Sequence, residues 1–236
     1  MFTAKEIIGK NAMSAIDPSG PMRKAFFWSL EKDDPSRCSK LTKRDAHRYA
    51  RQFLPAFGFY KYRENDDTEG TFLIVQKHGR RVRIIGNEKD PCVKDRIFEW
   101  TLQTLEYLSG IAGNLPKNLE ERIFEFESLF ASWTTLFLPR LPEVEVSGPG
   151  GELRKVPYMP LKDSPDTAYV CFANGVVVVE KDDEPMLFQY SQLPPNAFVW
   201  DKEVRDCPID LDQRKDGPHG KWWDFLQNIC REDNGQ

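Results

Sequence analysis

Hydrophobic positions recur along this chain in two different periods, and the change of period maps its elements. Thr3-x-x-Glu6 is a capping-box pattern, with Ile7, Ile8, Ala12 and Ala15 at helical spacing behind it, and Asp17-Pro18-Ser19-Gly20-Pro21 stops that helix. Met22 to Leu30 is apolar and aromatic without a decisive period. Thr42 is a second N-cap, with Asp45 at the third helical position and an apolar side of Ala46, Tyr49, Ala50, Phe53 and Leu54, ended by Pro55 and Gly58. Three extended pieces follow, Phe57 to Arg63, Thr71 to Lys77 and Arg80 to Ile85, the last two joined by a tight turn at His78-Gly79. Cys92 to Leu108 predicts a helix with Val93, Ile97, Trp100, Thr101, Leu105 and Leu108 on one side, broken by Gly110 and Gly113. Leu119 to Phe137 predicts another, with Ile123, Phe126, Phe130 and Trp133 as its stripe.

Prolines and glycines then crowd residues 139–165, which suits a linker or surface arm between a domain over 1–138 and a second over 166–236. Beyond it, Ala168 to Glu180 is an apolar strand interrupted at Asn174-Gly175, a pair that tolerates the positive φ of a tight hairpin turn. Lys181 to Glu184 is a charged tip, followed by the apolar piece Met186-Leu187-Phe188, a Pro-rich loop and Phe198-Val199-Trp200-Asp201. On a terminal helix, Trp222, Phe225, Leu226 and Ile229 share a face while Trp223 points elsewhere, as an anchor for a neighbouring domain or partner. The expected class is α+β: a mostly helical N-terminal domain with a small antiparallel sheet, winged-helix-like in outline, then a short β-meander closed by a C-terminal helix.

Composition narrows the function. The chain has 236 residues, 40% hydrophobic and 30% charged, as in a soluble globular protein, and no apolar run nears the ~18 residues of a membrane span. No membrane partner is expected, and the N-terminus lacks the order of a signal peptide. The five cysteines are widely spaced without a C-x-x-C, which points to free thiols in a reducing compartment. A net charge of −4 argues against a globally basic nucleic-acid coat, so any phosphate contact must be local. Lys77-His78-Gly79-Arg80-Arg81-Val82-Arg83 offers such a place: a basic β-hairpin behind a helix is the shape of a winged-helix wing, with Val82 and Ile84 on the other side. The preceding helix adds Lys43, Arg44, Arg48 and Arg51, and Tyr60 and Tyr62 offer rings for unpaired bases. A charged helix face and a solvated hairpin tip account for the same residues without a ligand.

Catalytic patterns are sparse. His47, His78 and His219 are scattered, and no Cys–His pair has zinc-ligand spacing. Asp210-Leu211-Asp212 is the best carboxylate pair for a divalent ion in nucleotidyl transfer, but its Pro- and Gly-rich flanks read as loop. There is no G-x-S-x-G.

The order of Phe172, Asn174, Gly175 and Val176, then Val199, Trp200 and Asp201, then Trp222, Phe225, Leu226 and Ile229, resembles the segment preceding the ATPase domain in phage, plasmid and virus primase–helicases of helicase superfamily three. The resemblance covers residues 166–231. It implies the non-motor N-terminal portion of a replicative helicase in a bacterial host cytoplasm, with DNA, sister subunits and a downstream helicase domain as partners. The phosphate-gripping G-x-x-x-x-G-K-[ST] loop of that family is absent here, since Gly9-Lys10 leads to Asn11 and Gly220-Lys221 to Trp222. The chain alone therefore carries no cofactor and no catalytic residue, ATP and Mg²⁺ belonging to the downstream domain. The candidates for DNA contact are the helix and hairpin cations Arg44, Arg48, Lys77, Arg80, Arg81 and Arg83, and those for interdomain packing are Trp200 and Trp223. The alternative is a phage-type protein-interaction adaptor with no nucleic-acid role.

Overall fold

A computed structural model of the chain describes residues 1–8, 26–63, 71–112, 115–125, 127 and 137–211. The chain divides into two units, Met1–Pro142 and Glu143–Gln236.

The first unit opens with α1 (Ala4–Ile8), capped by the predicted box: the Thr3 N–H and hydroxyl both donate to Glu6 Oε2, at 2.7 and 2.8 Å, and the Glu6 N–H returns to Thr3 Oγ1. Helix α2 (Lys43–Arg48) begins at Thr42, whose N–H and hydroxyl donate to Asp45 Oδ2 at 2.9 and 2.7 Å. It widens into a π-helical turn over Tyr49–Phe53 and closes as Leu54–Ala56. The wide turn brings Tyr49 and Phe53 into a stack with Phe27 edge-on to both, so Phe27, from the apolar stretch without a period, is core material, and residues 26–30 form no helix.

Three antiparallel strands follow: β1 (Phe59–Tyr62), β2 (Leu73–His78) and β3 (Arg81–Asn87), with a β-bulge at Ile74/Val75. The first strand starts two residues later than predicted, because Phe57 and Gly58 form the turn into it. Gly58 has φ +82°, and a Cβ there would run into the Lys77 carbonyl. Helix α3 (Pro91–Ala112) starts on a proline, where a missing N–H costs nothing, and runs through Gly110 rather than stopping before it. Val93, Ile97, Trp100, Leu105 and Leu108 are its core side, and Trp100 meets Phe57 and Phe59 edge-on. Helix α4 (Leu119–Glu125) adds Leu119 and Ile123.

The described residues of this unit therefore form a mixed α+β domain with one long helix, not the mostly helical domain expected. Residues 26–29 form neither helix nor strand, and Leu30 bridges Cys38 in antiparallel fashion. Most of the predicted Leu119–Phe137 helix and the Ala12 and Ala15 side of the first helix lie outside the described residues.

In the second unit, residues expected as a linker instead carry strands. β4 (Val144–Ser147) and β5 (Leu153–Val156) form a two-stranded hairpin turned at Gly148–Gly151, and β6 (Met159–Pro160) pairs in parallel with β10 (Ala197–Trp200). Short two-residue periods between prolines are enough for strands, though not for helices. The predicted meander is β7 (Thr167–Phe172), β8 (Gly175–Glu180) and β9 (Met186–Phe188), all antiparallel. Its centre β8 is buried on both faces: Val176 and Val178 join Cys171, Leu193, Ala197 and Val199, whereas Val177 and Val179 join Phe172. That is why four consecutive valines occur where a one-sided strand would alternate. The expected C-terminal helix, with Trp223, lies outside the described residues. Among those described, no helix is long and apolar enough to cross a membrane.

Candidate nucleic-acid interface

Strands β2 and β3 are joined by a two-residue loop, Gly79-Arg80, closed by the His78–Arg81 pair. The turn is thus one residue further on than His78-Gly79. Gly79 has φ +58° and Arg80 does not share the positive φ, the pattern of a type II′ turn, which demands glycine at the first loop position.

Antiparallel register decides which cations share a face. Arg81 pairs with His78 and Arg83 with Gln76, so these four lie on one side, while Lys77 pairs with Val82 on the other. The hairpin therefore splits its charges: Arg81 and Arg83 form one group with Arg80 at the tip, and Lys77 is separated from them. All four are partly exposed.

On the arginine side lies Phe2, only 2% exposed. The Arg83 guanidinium carbon sits 4.4 Å from the centre of its ring, that of Arg81 5.8 Å, and the His78 ring 5.6 Å. The backbone of Phe2 is fixed from three directions. Its N–H donates to Gln76 Oε1 at 2.7 Å, and its carbonyl accepts from Gln76 Nε2 at 3.0 Å and Trp100 Nε1 at 2.8 Å. Gln76 is fully buried and also donates to the Phe57 carbonyl at 3.4 Å. Hydrogen bonds from the Thr3 backbone and then its hydroxyl hold the Glu6 carboxyl below its ordinary pKa, with smaller pulls from Arg83 and His78.

The remaining predicted residues have other surroundings. Arg44 is exposed on α2. Arg48 is engaged inward, donating to the carbonyls of Phe26 at 2.8 Å and Phe27 at 3.5 Å and lying 3.8 Å from Asp45, so it anchors the 26–27 segment. Tyr62 is buried and Tyr60 donates its hydroxyl to the Pro55 carbonyl, which removes Tyr62 as a platform for a base. Trp200 is partly exposed and packs edge-on against Phe198 at 4.8 Å. Asp210 is exposed, and Asp212 lies outside the described residues. Among the described residues no group of three or more His, Cys, Asp or Glu side chains could hold a metal ion.

Sequence reasoning missed two features. One is the Phe2 platform, whose only linear signal was a glutamine inside an apolar strand. The other is a second aromatic–cation cluster: Arg63, Arg140 and Lys61 lie 4.0, 4.9 and 5.5 Å from the Phe72 ring centre, with Lys61 also 3.2 Å from Glu88. Comparison of the chain with protein-family models, curated proteins and solved structures finds no match.

Proposed function

We propose that this chain is the non-motor N-terminal portion of a phage or mobile-element replicative primase–helicase, contacting DNA through the β2–β3 hairpin as a wing. One observation supports this above the others: Arg81 and Arg83 converge on a single buried aromatic ring beside a glycine-turned tip carrying Arg80. Guanidinium groups gathered on one face suit phosphate oxygens, which they meet through paired N–H donors. The chain does no bond-making in this reading. ATP hydrolysis belongs to a domain outside it, and the segment over 166–231 that resembles the pre-ATPase region provides the surface that meets that domain or sister subunits.

The protein-interaction reading has one observation in its favour. The β4–β5 hairpin has no buried residue, and Leu153 on it is 68% exposed. Binding to single-stranded and duplex DNA at low salt separates the two. The DNA reading expects measurable binding, weakened at least about tenfold when Arg80 and Arg81 are both changed to Ala, since each charged hydrogen-bond pair is worth roughly 1.5–3 kcal/mol. No binding by the unaltered protein would leave the adaptor reading standing.

A further inference from the structure

The geometry points to Phe2 as a positioning residue for DNA contact: its ring is the platform that aligns the Arg81 and Arg83 guanidinium planes toward phosphate. The inference rests on the hairpin being the DNA contact. An arginine on a hairpin tip ordinarily samples many rotamers, and fixing it on binding costs side-chain entropy. Here the Arg83 guanidinium carbon lies 4.4 Å from the ring centre and that of Arg81 5.8 Å, within the range of cation–π attraction.

The platform is itself immobilised, which distinguishes it from a chance surface contact. Gln76 grips both the N–H and the carbonyl of Phe2, and Trp100 adds a third hydrogen bond. The buried Gln76 amide is satisfied by this grip, its oxygen accepting from Phe2 and its nitrogen donating to Phe2 and Phe57, and the product is a ring fixed beneath the cations. Phe2 adds no charge, so it acts through the arginines and not on DNA.

That separation gives the test. DNA binding is measured across 50–200 mM salt for the unaltered protein, Phe2→Leu, Phe2→Tyr and Arg83→Ala, with thermal melts on each. Leucine keeps apolar volume but has no π face, and tyrosine keeps the face. Phe2→Leu is expected to weaken binding about three- to tenfold at fixed salt, because the arginines are no longer held on the ring and must be ordered on binding, without changing the salt slope. Phe2→Tyr is expected to restore affinity, and Arg83→Ala to lower the magnitude of the slope by about one. Phe2→Leu binding as tightly as the unaltered protein while Arg83→Ala is weakened would overturn the platform and leave the DNA reading intact. Absence of binding by the unaltered protein would take down both. Should Phe2→Leu fail to fold, NMR of the unaltered protein decides: a ring above Arg83 shifts its side-chain protons upfield, and unshifted Arg83 protons would overturn the inference.

Discussion

Three side-chain amides do the same job at distant places in this protein. Gln76 pairs with both the N–H and the carbonyl of Phe2, Asn118 with those of Cys38 at 2.7 and 3.1 Å, and Asn174 with those of Ile209 at 3.0 and 2.8 Å. A primary amide presents one acceptor and a donor side by side, as a peptide unit does, so each imitates a neighbouring strand for one residue of irregular backbone. The first two are buried, and an apolar replacement would strand backbone groups away from water. Asn118→Leu is expected to cost about 2–4 kcal/mol and Asn174→Ala, at an exposed site, about 1 kcal/mol, by urea denaturation. None of these roles was legible in the sequence, because the partners lie 74, 80 and 35 residues away. The Thr3–Glu6 box was legible, because both halves sit within one helical turn. Burial also sets the thiols: it pushes Cys38 and Cys171 up to about 11, whereas Cys92 and Cys207 are exposed. An alkylating reagent at pH 8 should modify Cys92 and Cys207 quickly and leave Cys38 and Cys171 until the protein is denatured. Each buried thiol's contribution to stability is whole below the ordinary thiol pKa and is lost as pH rises towards about 11, because the unfolded thiol ionises first.

The turns show how a correct element can rest on a different cause from the one predicted. At Asn174-Gly175 the hairpin forms where expected, but its loop is Ala173-Asn174 and neither residue has a positive φ. Gly175 is small because a Cβ would meet the Phe188 carbonyl on β9, and Asn174 holds the chain around Ile209. At β2–β3 the glycine does act through φ, in a turn one position along from the His78-Gly79 expected. Gly58 and Gly79, both in the first unit, differ in a way that stability can read. Gly58→Ala combines a left-handed φ with backbone overlap at Lys77 and should cost about 3 kcal/mol or more. A Cβ at Gly79 meets nothing within 4 Å, so Gly79→Ala carries the φ term alone, about 1 kcal/mol. Equal losses at the two positions in denaturant melts would contradict this account. Helical periodicity was informative for α3, whose stripe from Val93 to Leu108 recurs over about four turns, and it found the buried side Ala46, Tyr49, Ala50, Phe53 and Leu54, but it did not reveal the π-helical turn at Tyr49–Phe53, whose wider turn no 3.6-residue pattern encodes.

For the molecule as a whole, a net charge of −4 leaves nucleic-acid binding dependent on where cations are gathered. Linear order suggested four hairpin cations acting together, and strand register reduces them to three, Arg80, Arg81 and Arg83, with Lys77 on the opposite face. The salt dependence of DNA affinity tests this count most directly. Three phosphate contacts predict a slope of log K against log salt of about −2 to −3, with the lower magnitude on single strands. Changing Arg80, Arg81 and Arg83 together to Ala should bring the slope close to zero, while Lys77→Ala should leave it as it was. A slope that survives the triple substitution, or an unaltered protein that does not bind at 50 mM salt, would contradict the account.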